Sequence, residues 1–385
     1  MESCAVICEF NPFHDGHAHL LRRAKEQTGA HVVCLMSGNV VQRGSFALLP
    51  RHLRAACAID GGADAVFELP ASCVLNNAAG FAKAGVSMAA ALGCRYLAFG
   101  SECGDLSLLQ QAADATLSPA YEEALKDCLA RGLSFATASR EAMAACFPAL
   151  GEVLACPNNL LGIEYLKAIR ELKLPLLALT FPREGNGYTD TQTVEGRFPS
   201  SSSLRTLLAQ EPTHPLLPSA VREACEQGLC PSDGEKVASA VLTLLRRLSP
   251  EEMALCADVS EGLEYRLLKA AGECRTLKAF FETCATRRYP PARLRRIVMN
   301  ATLGCTAQDN ATPPLYARLL AAKRSAVSLW ENASIPVVVK PARAELSSRA
   351  ARQFSLNTAA CDLFAFTLPD PEALKADMAL SPLIF

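Results

Sequence analysis

Three of the six histidines of this 385-residue chain fall within six positions, in "CEFNPFHDGHAHLL" (8–21). His14 and His17 bracket Asp15-Gly16, between a short apolar run and a helical one. A helix start there offers unpaired N–H groups and a partial positive charge, which attract phosphate. Gly16 leaves the backbone bare where a ligand would approach. Two imidazoles can donate hydrogen bonds to phosphoryl oxygens, and those bonds matter most when charge builds up in a pentavalent transition state. That is HxGH nucleotidyl transfer: positioning and charge stabilisation at the α-phosphate, with no covalent enzyme intermediate. The plain alternative is a turn whose histidines cap the helix. A zinc site would need a third and usually a fourth ligand, which no nearby spacing supplies. A Ser-His-Asp hydrolase would need a G-x-S-x-G elbow, which is absent.

Two further stretches bear on this chemistry. "SGNVVQRGSFA" (37–47) reads either as an ordinary loop or as the substrate side of a cleft. In the second reading Ser37, Gly38, Asn39 and Gln42 line the cleft and Arg43 faces an anion. "FPSSSSLR" (198–205) opens a helix with four serines. N-capping accounts for one or two of them. Ser201 and Ser202, with Arg205 one turn later, make a second phosphate cradle. HxGH early and this serine signal late are more specific together than either is alone. There is no KMSKS loop.

These stretches need elements to hold them. Apolar runs at 4–10, 31–37, 65–70, 94–100 and 174–182 predict five buried strands, each followed by helical sequence. Strands alternating with helices imply parallel pairing and right-handed crossovers. The expected fold class is α/β, a doubly wound parallel five-stranded sheet, followed by a mainly α-helical C-terminal part. Such sheets bind ligands outside the carboxyl ends of their strands. One rim therefore collects 11–17, 37–44, 100–102 and 182–185. The expected domains are 1–209, catalytic; 210–305, helical; and 306–385, a small α/β tail with a helix at 313–330 and a strand at 335–340.

Half the residues are hydrophobic and a fifth charged, the profile of a globular chain. The opening residues have no basic n-region or small-residue cleavage site, which predicts no secretory signal. No uncharged apolar run nears the ~20 residues that span a bilayer. The seventeen cysteines form no CxxC pair and read as buried thiols of a cytoplasmic protein. The net charge of −1 hides an asymmetry. Between Arg287 and Arg352 twelve Lys or Arg stand against three Asp or Glu, and "TRRYPPARLRR" (286–296) places five arginines around a turn and helix start. A basic region at 287–352 points to an anionic partner, nucleic acid first; the bland reading is a set of solvated helix faces.

"EFNPFHDGHAHL", "MSGNVVQRGSFA", "GADAVFELP", "LAFGSE", "PNNLLGIEYLKAI", "PREGNGYTD", "SSSSLR", "TRRYPPARLRRI" and "AACDLFAF" occur in the order found in the tRNA(Met) cytidine acetate ligases. The chain resembles that family over nearly its whole length. The resemblance implies an HxGH nucleotidyltransferase domain followed by a mainly helical RNA-binding part. It implies ATP-dependent activation of acetate as acetyl-adenylate, then acetylation of the wobble cytidine of elongator tRNA(Met) to N4-acetylcytidine. His14, Gly16 and His17 would hold the ATP phosphates within a loop from Ile7 to Leu20 that includes Asn11, Pro12 and Phe13. Gly100 would approach the adenosine, and Asn158 or Asn159 with Arg183 would complete the site. Mg²⁺ would bridge the phosphates. Arg287, Arg288, Arg293 and Arg296 would contact tRNA. No protein partner and no membrane are implied. Thr189 stands where relatives usually have His, and Arg287 where Lys is usual. The competing readings are a nucleotidyltransferase that adenylylates a small metabolite, which has no need of a basic helical half, and an RNA-binding protein with a retired nucleotide site.

Overall fold

The computed structural model describes residues 1–183, 200–231, 234–374 and 377–385. Thr189 and the rest of 184–199, including Gly185 of the expected rim, lie outside the described residues.

The strands are β1 (Ser3–Cys8), β2 (His31–Ser37), β3 (Val40–Val41), β4 (Ser45–Phe46), β5 (Ala65–Leu69), β6 (Tyr96–Ser101), β7 (Leu177–Pro182), β8 (Ala317–Ala322), β9 (Val337–Val338) and β10 (Leu383–Ile384). The five expected strands pair in parallel in the order β5-β2-β1-β6-β7. β2 leaves β1 to one side and β6 lies on the other, so the switch point falls between β1 and β6. Every residue of β5 is buried, as helices on both faces require.

The sheet is larger than five strands. β8 joins the edge of β5 antiparallel, and β9 and β10 then pair with β8, giving eight strands. The helix expected at 313–330 is instead β8 and a 3-10 stretch, Arg324–Trp330. "ARLLAA" is made of good helix formers, but the open edge of β5 decides its state, and all six residues are buried there. The strand expected at 335–340 is reduced to Val337–Val338. The segment 306–385 is therefore not a separate tail. Leu319, Leu356 and Ala360 share one apolar core with Ala5, Leu35 and Leu97.

Helices Gly234–Arg247, Leu263–Glu273, Leu277–Cys284 and Pro291–Leu303 pack around a core of their own that includes Leu245, Leu267, Phe280 and Leu294. Buried Asn300 rivets this bundle to the rim of the sheet, donating from Nδ2 to the Leu75 carbonyl at 3.1 Å. Two cysteines depart from the thiol reading. Cys225 and Cys230 are disulfide-bonded, because the turn after helix Ser219–Glu226 brings their Cα atoms to 5.0 Å. The other fifteen are free. Among the described residues no helix is long and apolar enough to cross a membrane.

Candidate active site

After β1 the chain passes through Phe10, at φ +47°, and a turn at Asn11-Pro12 before helix Asp15–Thr28 begins. His14 is the N-cap. Its Nδ1 accepts the Gly16 N–H at 3.1 Å, and the Nδ1 of His17 accepts the His14 N–H at 3.3 Å. This is a reciprocal capping box built from two imidazoles. The rings stack with centroids 3.8 Å apart, and Phe10 and Phe13 close around His17. Burial pushes the His14 pKa down to about 4, and the charge of Arg183 adds to the effect. Burial likewise holds His17 well below the ordinary value, with His14 and Arg183 contributing. Both rings are therefore neutral at pH 7. Since each Nδ1 accepts, each ring carries its proton on Nε2, an assignment made from the hydrogen bonds. The Nε2 of His14 is buried and has no protein partner. Capping and phosphate donation are thus not alternatives: one nitrogen does the first and the other is left for the second. His19 lies beyond the pair, half-buried beside Arg22.

The rest of the expected loop is scaffold. Ile7 packs in the core, where a Cβ on Gly85 would meet it. Leu20 packs beneath the helix. Asn11 Oδ1 accepts the Leu48 N–H at 2.7 Å. Helix Ser201–Gln210, capped by Ser200, docks on the same turn. Ser201 Oγ donates to the Pro12 carbonyl (3.4 Å), and Arg205 donates to the Asn11 carbonyl (2.6 Å) and to Ser202 Oγ (2.9 Å). The far end of the expected catalytic domain is thereby brought to the histidines. Arg205, however, holds the loop with its guanidinium and does not stand open to a phosphate.

Two organising residues escaped the sequence reading. Arg54, fully buried, donates to the carbonyls of Glu9, Ser37, Gly38 and Leu49. One guanidinium thus ties the carboxyl ends of β1 and β2 together; burial lowers its pKa to about 10 despite the nearby Glu9 carboxylate. Glu9 accepts the Gln42 N–H at 2.6 Å. Burial pushes its carboxyl up, against that hydrogen bond and the charges of Arg54, Arg43 and Arg205. Nothing in the spacing of helix Arg51–Asp60 marks its two arginines, Arg51 and Arg54, as inward-facing, yet both are buried.

Across the switch point, Gly100, next to last in β6, has no side chain beside Arg183; a Cβ there would lie 3.2 Å from Arg183 Cγ. Asn159 is 3% exposed and fully engaged: its Oδ1 accepts the Glu102 and Cys103 N–H groups and its Nδ2 donates to the Val153 carbonyl. Asn158 is the more open of the pair, with Arg183 Nη1 donating to its Oδ1 at 3.4 Å. Of the two asparagines, only Asn158 can face a ligand.

The 37–47 stretch divides. Ser37, Gly38 and Asn39 are buried and do not line an open cleft. A Cβ on Gly38 would strike the Glu68 carboxylate, and Asn39 accepts the Arg51 N–H (2.9 Å) and donates to Cys361 Sγ (3.3 Å). Beyond them β3 and β4 form a hairpin that carries half-buried Gln42 and exposed Arg43. The turn after Arg43 touches the arginine helix. Gly44 has φ +74°, its Cβ position is filled by the backbone of Arg295 and Arg296, and Arg295 Nε donates to the Arg43 carbonyl at 3.3 Å. Arg295, absent from the expected set, is thus next to Arg43, and burial with that like charge lowers its pKa. Arg287 and Arg288 are exposed, Arg288 paired with Glu261. Arg293 and Arg296 serve the bundle instead: Arg293 lies over Tyr289 and donates to the Asp258 carbonyl (2.6 Å), and Arg296 pairs with the Asp258 carboxylate (3.6 Å).

A doubly wound sheet with paired neutral imidazoles at a helix start beside its switch point is the architecture of a nucleotidyltransferase. The model of the HIGH nucleotidyl transferase family matches residues 1–377. A tRNA(Met) cytidine acetate ligase of Acetivibrio thermocellus is 34% identical over 98% of this chain and 97% of its own length. The apo crystal structure of Thermotoga maritima TmcAL superposes with a TM-score of 0.90 at 25% identity, covering 100% of both chains. The same Thermotoga protein bound with alpha-thio ATP superposes with a TM-score of 0.87 at 25% identity, covering 100% of this chain and 99% of that one. The chain belongs to the HIGH nucleotidyl transferase family and, within it, to the tRNA(Met) cytidine acetate ligases.

Proposed function

We propose that this protein activates acetate with ATP as acetyl-adenylate and transfers the acetyl group to the N4 amine of the wobble cytidine of elongator tRNA(Met). The observation that carries the reading is the buried, unpartnered Nε2 of His14, held toward a ligand by a cap that fixes the other nitrogen. An ATP phosphate is the acceptor that such a donor at a helix N-terminus fits. An acetate oxygen attacks the α-phosphorus and pyrophosphate leaves. The amine then attacks the acetyl carbonyl, AMP leaves and the nitrogen loses a proton. His14 and His17 donate to the α-phosphate as its charge grows, while Gly100 and Asn158 face the nucleoside and Arg183 bridges toward the phosphates. Mg²⁺ is proposed to arrive with the triphosphate. Among the described residues no group of three or more His, Cys, Asp or Glu could hold a metal ion.

Arg287, Arg288, Arg295 and Arg43 form the proposed contact with the tRNA backbone. The Arg295–Arg43 contact supports it, since it joins the basic helix to the hairpin beside the site. The base reaches the anhydride most easily from a single-stranded loop. The test is incubation with ATP, labelled acetate and elongator tRNA(Met), which is expected to label the tRNA. AMP transfer to a small metabolite without labelled tRNA would overturn the reading, as would tRNA binding without either reaction.

A further inference from the structure

The N-termini of helices Asp15–Thr28 and Pro157–Glu171 both border the proposed nucleotide site. Either could attract phosphate. The second has no cap from its own N-cap residue, Cys156. Its first turn is occupied instead by the Glu102 carboxylate: Oε1 accepts the Asn158 N–H (3.2 Å) and Nδ2 (2.6 Å), and Oε2 accepts the Asn159 N–H (2.8 Å). Asn159 Oδ1 returns the bond to the Glu102 N–H at 2.8 Å. One N-terminus is filled by a fixed negative charge, and the other is dressed with neutral donors.

The same carboxylate orients Asn158. Drawing Nδ2 toward itself turns Oδ1 outward, onto Arg183 Nη1. Arg183 is also held at its backbone, donating N–H to the Ser101 carbonyl at 3.0 Å, and its charge acts on both His14 and His17. We propose that Glu102 is a positioning residue that turns Asn158 so that Arg183 is aimed at the phosphates held by His14 and His17, while denying those phosphates the rival helix start. This inference rests on the nucleotide-site reading and assigns a role to a side chain that need not touch the nucleotide.

Glu102→Gln is nearly isosteric but leaves one neutral acceptor oxygen for the three donors of Asn158 and Asn159 and sets an NH₂ group against the rest, so the hold on the Asn158 amide is weakened. The experiment measures ATP affinity by calorimetry for wild type, Glu102→Gln, Glu102→Ala, Arg183→Ala and Glu102→Ala/Arg183→Ala, with acetate-dependent ATP–pyrophosphate exchange on the wild type. Both Glu102 variants are expected to bind ATP about tenfold more weakly, as for loss of one charge-assisted hydrogen bond. The double variant is expected to bind no more weakly than Arg183→Ala alone, a coupling that a merely structural cap would not produce. Multiplying, independent effects, or wild-type affinity in Glu102→Gln, would overturn the inference. A wild type that binds ATP but shows no acetate-dependent exchange overturns the acetate reading instead, and the coupling in ATP affinity still decides the role of Glu102.

Discussion

The paired histidines allow capping and phosphate donation to be separated by one substitution. Asparagine is among the best N-cap residues, so His14→Asn keeps an acceptor for the Gly16 N–H and removes Nε2. His14→Ala removes both functions. The two variants lose the same stacked ring, 8% exposed and 3.8 Å from His17, so their difference in stability isolates the cap. That difference is worth ~1 kcal/mol, with the asparagine variant the more stable in chemical denaturation. Their activities are expected to fall together. Loss of one preorganised donor to developing charge costs roughly 10²–10³ in rate, read as acetate-dependent ATP–pyrophosphate exchange without tRNA. If His14→Asn keeps exchange within about threefold of wild type, well short of that loss, the ring is only a cap and the donor argument fails. Activities that track the stability difference would refute it equally.

The depressed pKa of His14 sets a pH window. The fold favours the neutral ring, so an unfolded ring takes up a proton below 6.5 while the folded one waits until about 4. The stability it contributes is complete above 6.5 and is lost as pH falls from there toward 4, to a total of ~3 kcal/mol. An NMR titration should show His14 neutral and Nε2-protonated at pH 5.5, and a midpoint near 6.5 would contradict the burial. Arg54→Lys substitutes three compact donors for a fork that reaches four carbonyls, and is expected to cost about 2–4 kcal/mol in denaturation; an unchanged midpoint would remove it as the strut between β1 and β2. Replacing Arg287 and Arg288 with Ala should lower the salt slope of tRNA binding by ~1–2 while leaving tRNA-independent exchange intact. Arg293→Ala should instead destabilise the bundle through its lost bond to the Asp258 carbonyl, and an unaltered thermal midpoint would count against that anchoring role.

The parallel core was legible because buried strands announce themselves. Runs such as "HVVCLMS" are apolar, short and bounded by turn signals. The rim followed from topology alone, and it correctly gathered His14, Gly100 and Arg183. "ARLLAA" was not legible as a strand, since its state depends on an open sheet edge more than 240 positions away in the chain. Nor could the sequence say which rim residues point outward. Ser37 and Asn39 look like cleft-lining polar groups, yet both are buried, and Asn39 bonds to the Arg51 N–H and to Cys361. Glu102 and Asn159 meet across 57 positions, a pairing that no local spacing encodes.

In the proposed reaction, neutral histidines would favour the transition state over the ground state. Arg54 spends its donors on backbone carbonyls, and Arg205 is tied to the Asn11 carbonyl. In the proposed reaction the donors to the α-phosphate are two imidazoles, kept neutral by burial and by Arg183. Charged imidazoliums there, added to Arg183, would hold the ground-state triphosphate more tightly still and gain little more as the reaction proceeds, which lowers KM without raising kcat. Neutral N–H dipoles fixed by a capping box gain most when negative charge builds on the pentavalent phosphorus, and they need no reorganisation at that moment. The depressed pKa values, a feature of burial at first sight, are therefore part of how the site can accelerate the reaction. A variant that raised the His14 pKa toward neutrality would be expected to tighten ATP binding and slow its conversion.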